Sequence, residues 1–388
     1  MKEGWEYKKL GEVCDFISGF AFKSNKFTKS GEPIIRISDI HDGIVDDSNV
    51  VFFNKETYNV DLSKYIIKPN DILIAMSGGT TGKIGVNTNN KTYYLNQRVG
   101  LFHEKSLLNH YFLYYFLQTK REESLKVASG AAQPNLSTAQ IKAFEIPVPS
   151  LSEQLRIVSY LDAAFAKIDA VAKNAEDSLN EAKALFQSAL AKMMEPKEGW
   201  EEVTLDNICS IESTLVDPTD DNYNNLLHVG GANIESYTGR LINLMTAKDE
   251  RLTSGKYLFD SNVVLYNKVR PYLVKVARPD FNGLCSADMY PLTPKKETTR
   301  EFLYYLLIKK EFTNYAIKCS ARAGMPKINR NSLFAYKASI PLNRKEQIRI
   351  VSTLDNIRKV LMHLESNLSR TLTECTALKQ AILRQTFE

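Results

Sequence analysis

The residues of this chain that come nearest to a chemical motif are in "MSGGTTGKIG", Met76 to Gly85, directly after the apolar run "DILIA". A phosphate-binding P-loop needs Gly, four residues, Gly-Lys and then Ser or Thr, because backbone amides wrap the phosphates and the last hydroxyl holds magnesium. Only three residues separate Gly78 from Gly82, and Ile84 stands where the hydroxyl belongs. The stretch departs from a nucleotide cradle on both counts. Two other readings stay open from these residues: a hairpin turn in which glycine supplies positive φ, and an exposed loop that aims Ser77, Thr80, Thr81 and Lys83 at a nucleic acid.

Other chemistries find less support. Cys14, Cys209, Cys285, Cys319 and Cys375 form an odd set without C-x-x-C spacing, which argues against a disulfide framework or a zinc site and for ordinary buried thiols. His41, His103, His110, His228 and His363 are scattered along the chain and offer no metal or acid–base cluster.

The elements that must position any site come from a chain of 388 residues, 44% hydrophobic and 24% charged, long enough for two or three globular domains. The N-terminus "MKEGWEYKKLGEV" has no apolar h-region and no uninterrupted apolar stretch could cross a bilayer, so the expected location is cytoplasmic. A net charge of +5 is mild. Its distribution is uneven: Lys83, Lys91 and Arg98 fall in an acid-free window between Asp71 and Glu104, and Lys268, Arg270, Lys275 and Arg278 in another between Asp260 and Asp280. Local patches, not the total, are what phosphates feel, although a chain with 50 Lys and Arg also shows such windows by chance.

The sequence repeats itself. "KEGWEYKKLGEVCDFIS" at Lys2 returns as "KEGWEEVTLDNICSIES" at Lys197, "YFLYYFL" at Tyr111 as "EFLYYLL" at Glu301, and "FEIPVPSLSEQLRIVSYLD" at Phe144 as "ASIPLNRKEQIRIVSTLD" at Ala338. The order holds throughout, with offsets between 190 and 195 residues, as a tandem duplication requires. Each half opens with short β-rich runs ("EPIIRISDI", "NDILIAM", "TYYLNQRVGLF"; then "NVVLYNK", "YLVKVA", "MYPLTP") and an aromatic helix, the pattern of a mixed α/β globule. Each closes with a long helix, opened by Ser150-x-x-Glu153 in the first and Asn343-x-x-Glu346 in the second, which read as capping boxes.

From Leu161 the positions Phe165, Ile168, Ala172, Ala175, Leu179, Ala182, Phe186, Ala189 and Met193 alternate steps of three and four; Leu354, Ile357, Leu361, Leu364, Leu368, Cys375, Leu378 and Ile382 do the same, with Thr371 the polar interruption. A seam repeating every 3.5 residues signals coiled-coil packing, here of the two helices against each other in antiparallel fashion, or against another chain. The expected organisation is a globule over 1–149, a helix over 150–195, a second globule over 196–342 and a second helix over 343–388.

In its order of motifs the whole chain resembles the specificity subunits of Type I restriction–modification systems. The resemblance rests on the "GWE…LG" opening, "SGGTTGKIGV", "SGAAQPNLS" and "IPVPSLSEQLRIVSYLD", followed by the second "GWE" and "IPLNRKEQIRIVSTLD". It implies two target recognition domains, each reading half of a split DNA sequence, and two long helices that set the gap. It also implies two modification subunits that methylate adenine and restriction subunits that can join them. S-adenosylmethionine, ATP and Mg would then belong to those partners, with no cofactor bound by this chain. The residues agree: methylation needs an Asn/Asp-Pro-Pro-aromatic loop, and the nearest sequences are "KPND", "QPNL" and "RPDF". The expected role is binding without catalysis.

On this reading the glycine-rich turn faces DNA. The amides of the loop from Ser77 and Gly78 onward and the hydroxyls of Thr80 and Thr81 would meet phosphates, and Lys83 would add charge. Arg suits guanine and Asn or Gln suits adenine, which selects Arg36, Asn96, Gln97, Arg98 and Gln133 in the first half and Asn267, Arg270, Arg322 and Asn329 in the second. Lys268, Lys275 and Lys327 are expected on phosphates. Phe22, Tyr94 and Tyr272 would pack on sugars or serve as core. A coiled-coil scaffold whose globules bind only proteins is the competing reading, and it predicts no steep salt dependence on duplex DNA.

Overall fold

The computed structural model describes residues 5–41, 43–128, 134–320 and 325–387. The chain forms two compact units, Met1–Ala175 with Arg370–Glu388, and Glu176–Ser369. Both divisions fall inside the long helices, Leu151–Met193 and Arg344–Phe387.

In the first unit the fully buried run Ile72–Ala75 is a central strand, as an uninterrupted apolar run bounded by turn residues should be. It pairs antiparallel with Val99–Glu104 on one side and Ile84–Val86 on the other; Cys14–Ser18 and Gly43–Ile44 complete five strands. A second five-stranded sheet is built round Glu32–Ile35, which runs parallel to Tyr93–Leu95. Phe22 and Tyr94 lie in the aromatic core beside Phe53, not on the surface. The aromatic helix His110–Thr119 buries Phe112, Leu113 and Phe116 and is capped by Asn109, whose Oδ1 accepts from the Tyr111 and Phe112 amides. Finally Glu6–Lys9 pairs with Glu145–Val148 and closes the head beside its helix.

The second unit repeats this plan. Val264–Asn267 takes the central place between Met289–Pro294 and Val276–Ala277. Leu227–Val229 runs parallel to Gly283–Cys285, Arg300–Ile308 is the aromatic helix under a Thr299 cap, and Glu201–Thr204 pairs with Lys337–Ile340. The expected mixed α/β duplication is what the chain forms.

Each head is fastened to its long helix in the same way. In the first unit Ile157, Val158 and Leu161 share a core with Leu383 and Phe387, and Lys379 pairs with Asp169. The start of one helix thus meets the end of the other. In the second unit Phe186, Leu190 and Met194 share a core with Ile350, Val351 and Leu354, and Lys183 lies 3.8 Å from Glu365. The helices are antiparallel in both units. The first seam is buried or half-buried at every expected position. The second changes phase at its end: Leu378 is 50% exposed, whereas Leu383 and Phe387 are buried.

The capping boxes form in part. The Ser150 hydroxyl accepts from the Glu153 amide at 3.3 Å, but the Glu153 carboxylate takes two hydrogen bonds from Arg156. Glu346 accepts from the Trp200 indole at 3.3 Å, so the second "GWE" motif anchors the helix start. All five cysteines are free; Cys14, Cys209 and Cys285 are buried as expected, while Cys319 and Cys375 are only half-buried. Burial pushes the Cys14 and Cys209 thiols up to about 12, which keeps them protonated and inert.

Candidate nucleic-acid interface

The glycine-rich stretch leaves the central strand and forms a tight turn, with a 3-10 helix at Gly78–Thr80. It is held from within. The amides of Thr81, Gly82 and Lys83 donate to Gly78, Ala75 and Thr80, and the Gly78 amide donates to Pro134. Gly82 has φ +79°, and a Cβ there would stand 2.8 Å from the Ser124 Cβ; only glycine fits against the helix Arg121–Ala128. This corrects the expectation that the loop's amides and the Thr81 hydroxyl meet DNA phosphates. Those four amides already have acceptors, and Thr81 is buried with its hydroxyl donating to Gly78 at 2.7 Å. The Thr80 Oγ1 is buried without a hydrogen-bond partner. Lys83 is half-buried, while Ser77 and Gly78 are partly exposed at the turn's outer edge.

The turn belongs to a three-segment rim. Ser77 bridges Asn135, Leu136 donates to Met76 at 2.7 Å, and Met76 donates to Arg98 at 2.8 Å. These bonds bring the Asn96–Arg98 turn beside the "QPNLS" segment. Gln97 and Arg98 are exposed, and the Arg98 guanidinium donates to Asn135 Oδ1 at 3.0 Å. Asn96 is half-buried, with a backbone amide that donates to Ile35.

The second unit builds the same rim from different residues. Val269 bridges Lys327. Arg270 donates its amide to Pro326 at 2.8 Å, Ile328 donates to Lys268, and Lys268 donates to Asp288. Each bond has its counterpart in the first unit. Where the first rim pairs Arg98 with Asn135, the second pairs Asp288 with Lys327 at 2.9 Å. Arg270 and Val274 both adopt left-handed backbone, φ +51° and +46°, costly for residues with a Cβ. That turn exposes Arg270, and Tyr272 is 45% exposed. Tyr237, at φ +64° and 59% exposed, donates its hydroxyl to the Tyr272 carbonyl at 3.0 Å.

Several expected readers have structural work instead. The Arg36 guanidinium is held by Asp39 at 3.3 Å and by the Asn49 carbonyl at 2.8 Å, tying down the turn Ile37–Asp39. Asn267 is buried, and its Oδ1 accepts from the Val269 amide. Asn329 caps the helix Arg330–Phe334 by accepting from the Ser332 amide. Lys275 reaches back to the Gly231 carbonyl at 2.5 Å, and Lys268 to the Ala287 carbonyl at 2.5 Å, where burial lowers its pKa. Lys327 is half-exposed but paired with Asp288. Gln133 and Arg322 lie outside the described residues. The acid-free windows are not acid-free in space: Asp47 meets Lys91 at 2.9 Å and Asp355 meets Arg278.

Asn135, Asp288 and Tyr237 are rim residues the sequence reading missed. Aligning the two halves carries the signal for the first two, Asn135 through "QPNLS" against "MPKIN" and Asp288 through "NQRVG" against "SADMY"; Tyr237 has none, because it approaches Tyr272 only through the fold.

With this geometry in place the class is defined. The family model described as Type I restriction modification DNA specificity domain matches residues 2–181 and again 197–374, and the chain belongs to that family. Among its relatives, the Type I restriction enzyme EcoDI specificity subunit of Escherichia coli is 26% identical over 380 residues, covering 88% of this chain and 82% of that protein. The StySPI specificity subunit of Salmonella potsdam is 24% identical over 421 residues, covering 100% and 89%. A solved structure from work on complex assembly and conformational transition of the type I R-M system has a TM-score of 0.73 at 19% identity, covering 100% of this chain and 98% of its own; that likeness is one of fold. Among the described residues no helix is long and apolar enough to cross a membrane.

Proposed function

We propose that this chain reads a bipartite DNA sequence for a Type I restriction–modification complex. Each unit reads one half-site through its three-segment rim. The long helices set the gap and dock two modification subunits, with which restriction subunits can associate. The chain itself performs no chemistry, and S-adenosylmethionine, ATP and Mg act in the partners. The observation that carries this reading is the rim built twice with the same backbone bonds and different side chains, Arg98 with Asn135 and Asp288 with Lys327. A common scaffold with rewritten polar edges suits two different base sequences. The base readers are then Gln97, Arg98 and Asn135 in the first unit and Arg270, Asp288 and Lys327 in the second, with Tyr237 and Tyr272 packing on the backbone. The test is selection of bound duplexes from a random pool by the complex with its modification subunits. Two blocks of fixed bases separated by a fixed unread gap are expected; one continuous block, or no selection, contradicts the reading.

A further inference from the structure

The two units differ in a second place, away from the rim segments. In the second unit a cleft of about 210 Å³ opens between the head and the helix Arg344–Phe387, lined by Gly239, Arg240, Arg278, Tyr304, Arg358 and Met362. The volume is several times the roughly 30 Å³ that a water molecule occupies in the liquid. Three arginines line it, two of them over one buried tyrosine: Arg278 and Arg358 lie 4.7 and 4.9 Å from the Tyr304 ring, and Arg358 donates to its hydroxyl. Gly239, at φ +62°, lets the loop pass so close that a Cβ would meet the Val276 carbonyl oxygen at 2.1 Å.

The duplication supplies the control. Tyr114, Tyr115, Asp162 and Gly43 hold the places of Tyr304, Tyr305, Asp355 and Gly239, but the three arginine positions carry Ile44, Val86 and Phe165. The fold therefore forms without cations at these positions, and all three have changed together. Their acids do not balance them. Asp355 takes Arg278 and also accepts from Tyr305 at 2.6 Å; Glu235 takes Arg240 at 2.7 Å. Among the described residues no carboxylate lies within ion-pair distance of Arg358. Glu365 also acts on Arg240 and is itself paired with Lys183 at 3.8 Å, so Asp355, Glu235 and Glu365 face Arg240, Arg278, Arg358 and Lys183 and a surplus positive charge stays at the cleft; paired forks match the oxygens of a phosphate.

Resting on the DNA-reading function above, we propose that Arg240 and Arg358, with Arg278 behind them, seat a backbone phosphate of the bound duplex beside the half-site read by the second unit. A nucleic-acid phosphate is favoured over the acidic side chain of a protein partner because one loop serves both places: the loop that carries Gly239 and Arg240 also carries Tyr237, whose hydroxyl bonds to the Tyr272 carbonyl at the rim. The seat has no counterpart in the first unit, so duplex binding is asymmetric about the gap.

The test uses the complex with its modification subunits and titrates cognate and scrambled duplex over a range of salt. Arg240→Gln and Arg358→Gln are each expected to weaken both duplexes by the same factor and to lower the salt slope by about 0.9, the loss of one phosphate contact, with the selected bases unchanged. Arg349→Gln, an exposed arginine on the same helix outside the cleft, leaves the slope as it was. Unchanged slopes for both cleft variants overturn the proposal. So does loss of co-purifying modification subunit at an unchanged slope, which would place a protein acid in the cleft. If the parent complex shows no salt-dependent duplex binding, the DNA-reading function fails first and the proposal fails with it.

Discussion

Gln154 and Gln347 stand on the first turn of the two long helices and make the same three hydrogen bonds, both fully buried. Gln154 Oε1 accepts from the Asn109 amide at 2.7 Å, and its Nε2 donates to the Leu107 and Pro149 carbonyls, each at 2.9 Å. Gln347 accepts from the Thr299 amide and donates to the Glu297 and Pro341 carbonyls, each at 2.8 Å. About two turns further along, Asp162 accepts from Tyr115 at 2.5 Å and Asp355 from Tyr305 at 2.6 Å. Each head is thus bolted to its helix at the cap of its aromatic helix.

Removing one bolt should loosen one head. Gln154→Ala leaves a buried amide and two carbonyls without their partner, a cost of about 3 kcal/mol. Hydrogen exchange of the amides in Leu113–Leu117 should accelerate accordingly, while those of Leu303–Leu307 keep their protection; Gln347→Ala should do the reverse. Equal acceleration in both heads contradicts separate fastening.

Gly82→Ala should damage the first rim alone. The backbone there is left-handed and a Cβ meets the Ser124 side chain, so a loss of roughly 1–3 kcal/mol in the first unit is expected. Measured against duplexes altered in one half-site at a time, discrimination at the half-site read by the first unit should fall and that at the other should hold.

Exchanging the rim pair is the sharper test of base reading. Arg98→Asp combined with Asn135→Lys installs in the first unit the pair the second already tolerates. The bases selected at one half-site should change with the other half-site intact. Unaltered selection would remove both residues from the readout.

How far this was legible in the sequence depends on what kind of contact is involved. The duplication, the central strand Ile72–Ala75 and the seam from Leu161 to Met193 were readable because periodicity and repetition are local signals. The seam failed at Leu378, where Leu383 and Phe387 turn instead into the core of the first unit. The rim was half-readable. Arg98 and Arg270 look outward as expected, but the partners that claimed Arg36, Lys275 and Lys268 are carbonyls from other segments, Asn49, Gly231 and Ala287. Side chains that match bases match carbonyls equally well, and composition alone does not distinguish them.

Acid should weaken the second unit through His228. The ring is buried 2.9 Å from Glu250, and burial holds its pKa below the usual histidine range although Glu250 opposes that and Lys256 assists it. The unfolded chain then takes up the proton first, at about 6.5. The stabilising contribution is complete above that pH and is lost as pH falls through the lower folded-state pKa. Melting temperatures from about pH 8 down to pH 5 should fall more steeply for the parent protein than for His228→Gln; parallel curves would contradict it.

The central claim, that the helices hold two readers at a set spacing, is tested most directly by lengthening both. Seven residues inserted after Ala172 and seven after Leu368 preserve the seam and add roughly 10 Å of helix, comparable with about three base-pair steps of 3.4 Å. Duplexes are then selected from a random pool by the lengthened complex with its modification subunits. The account predicts the same bases at each half-site and a gap longer by up to that amount, less where the duplex bends. An unchanged gap with intact half-sites would contradict it and assign the spacing to the partner subunits.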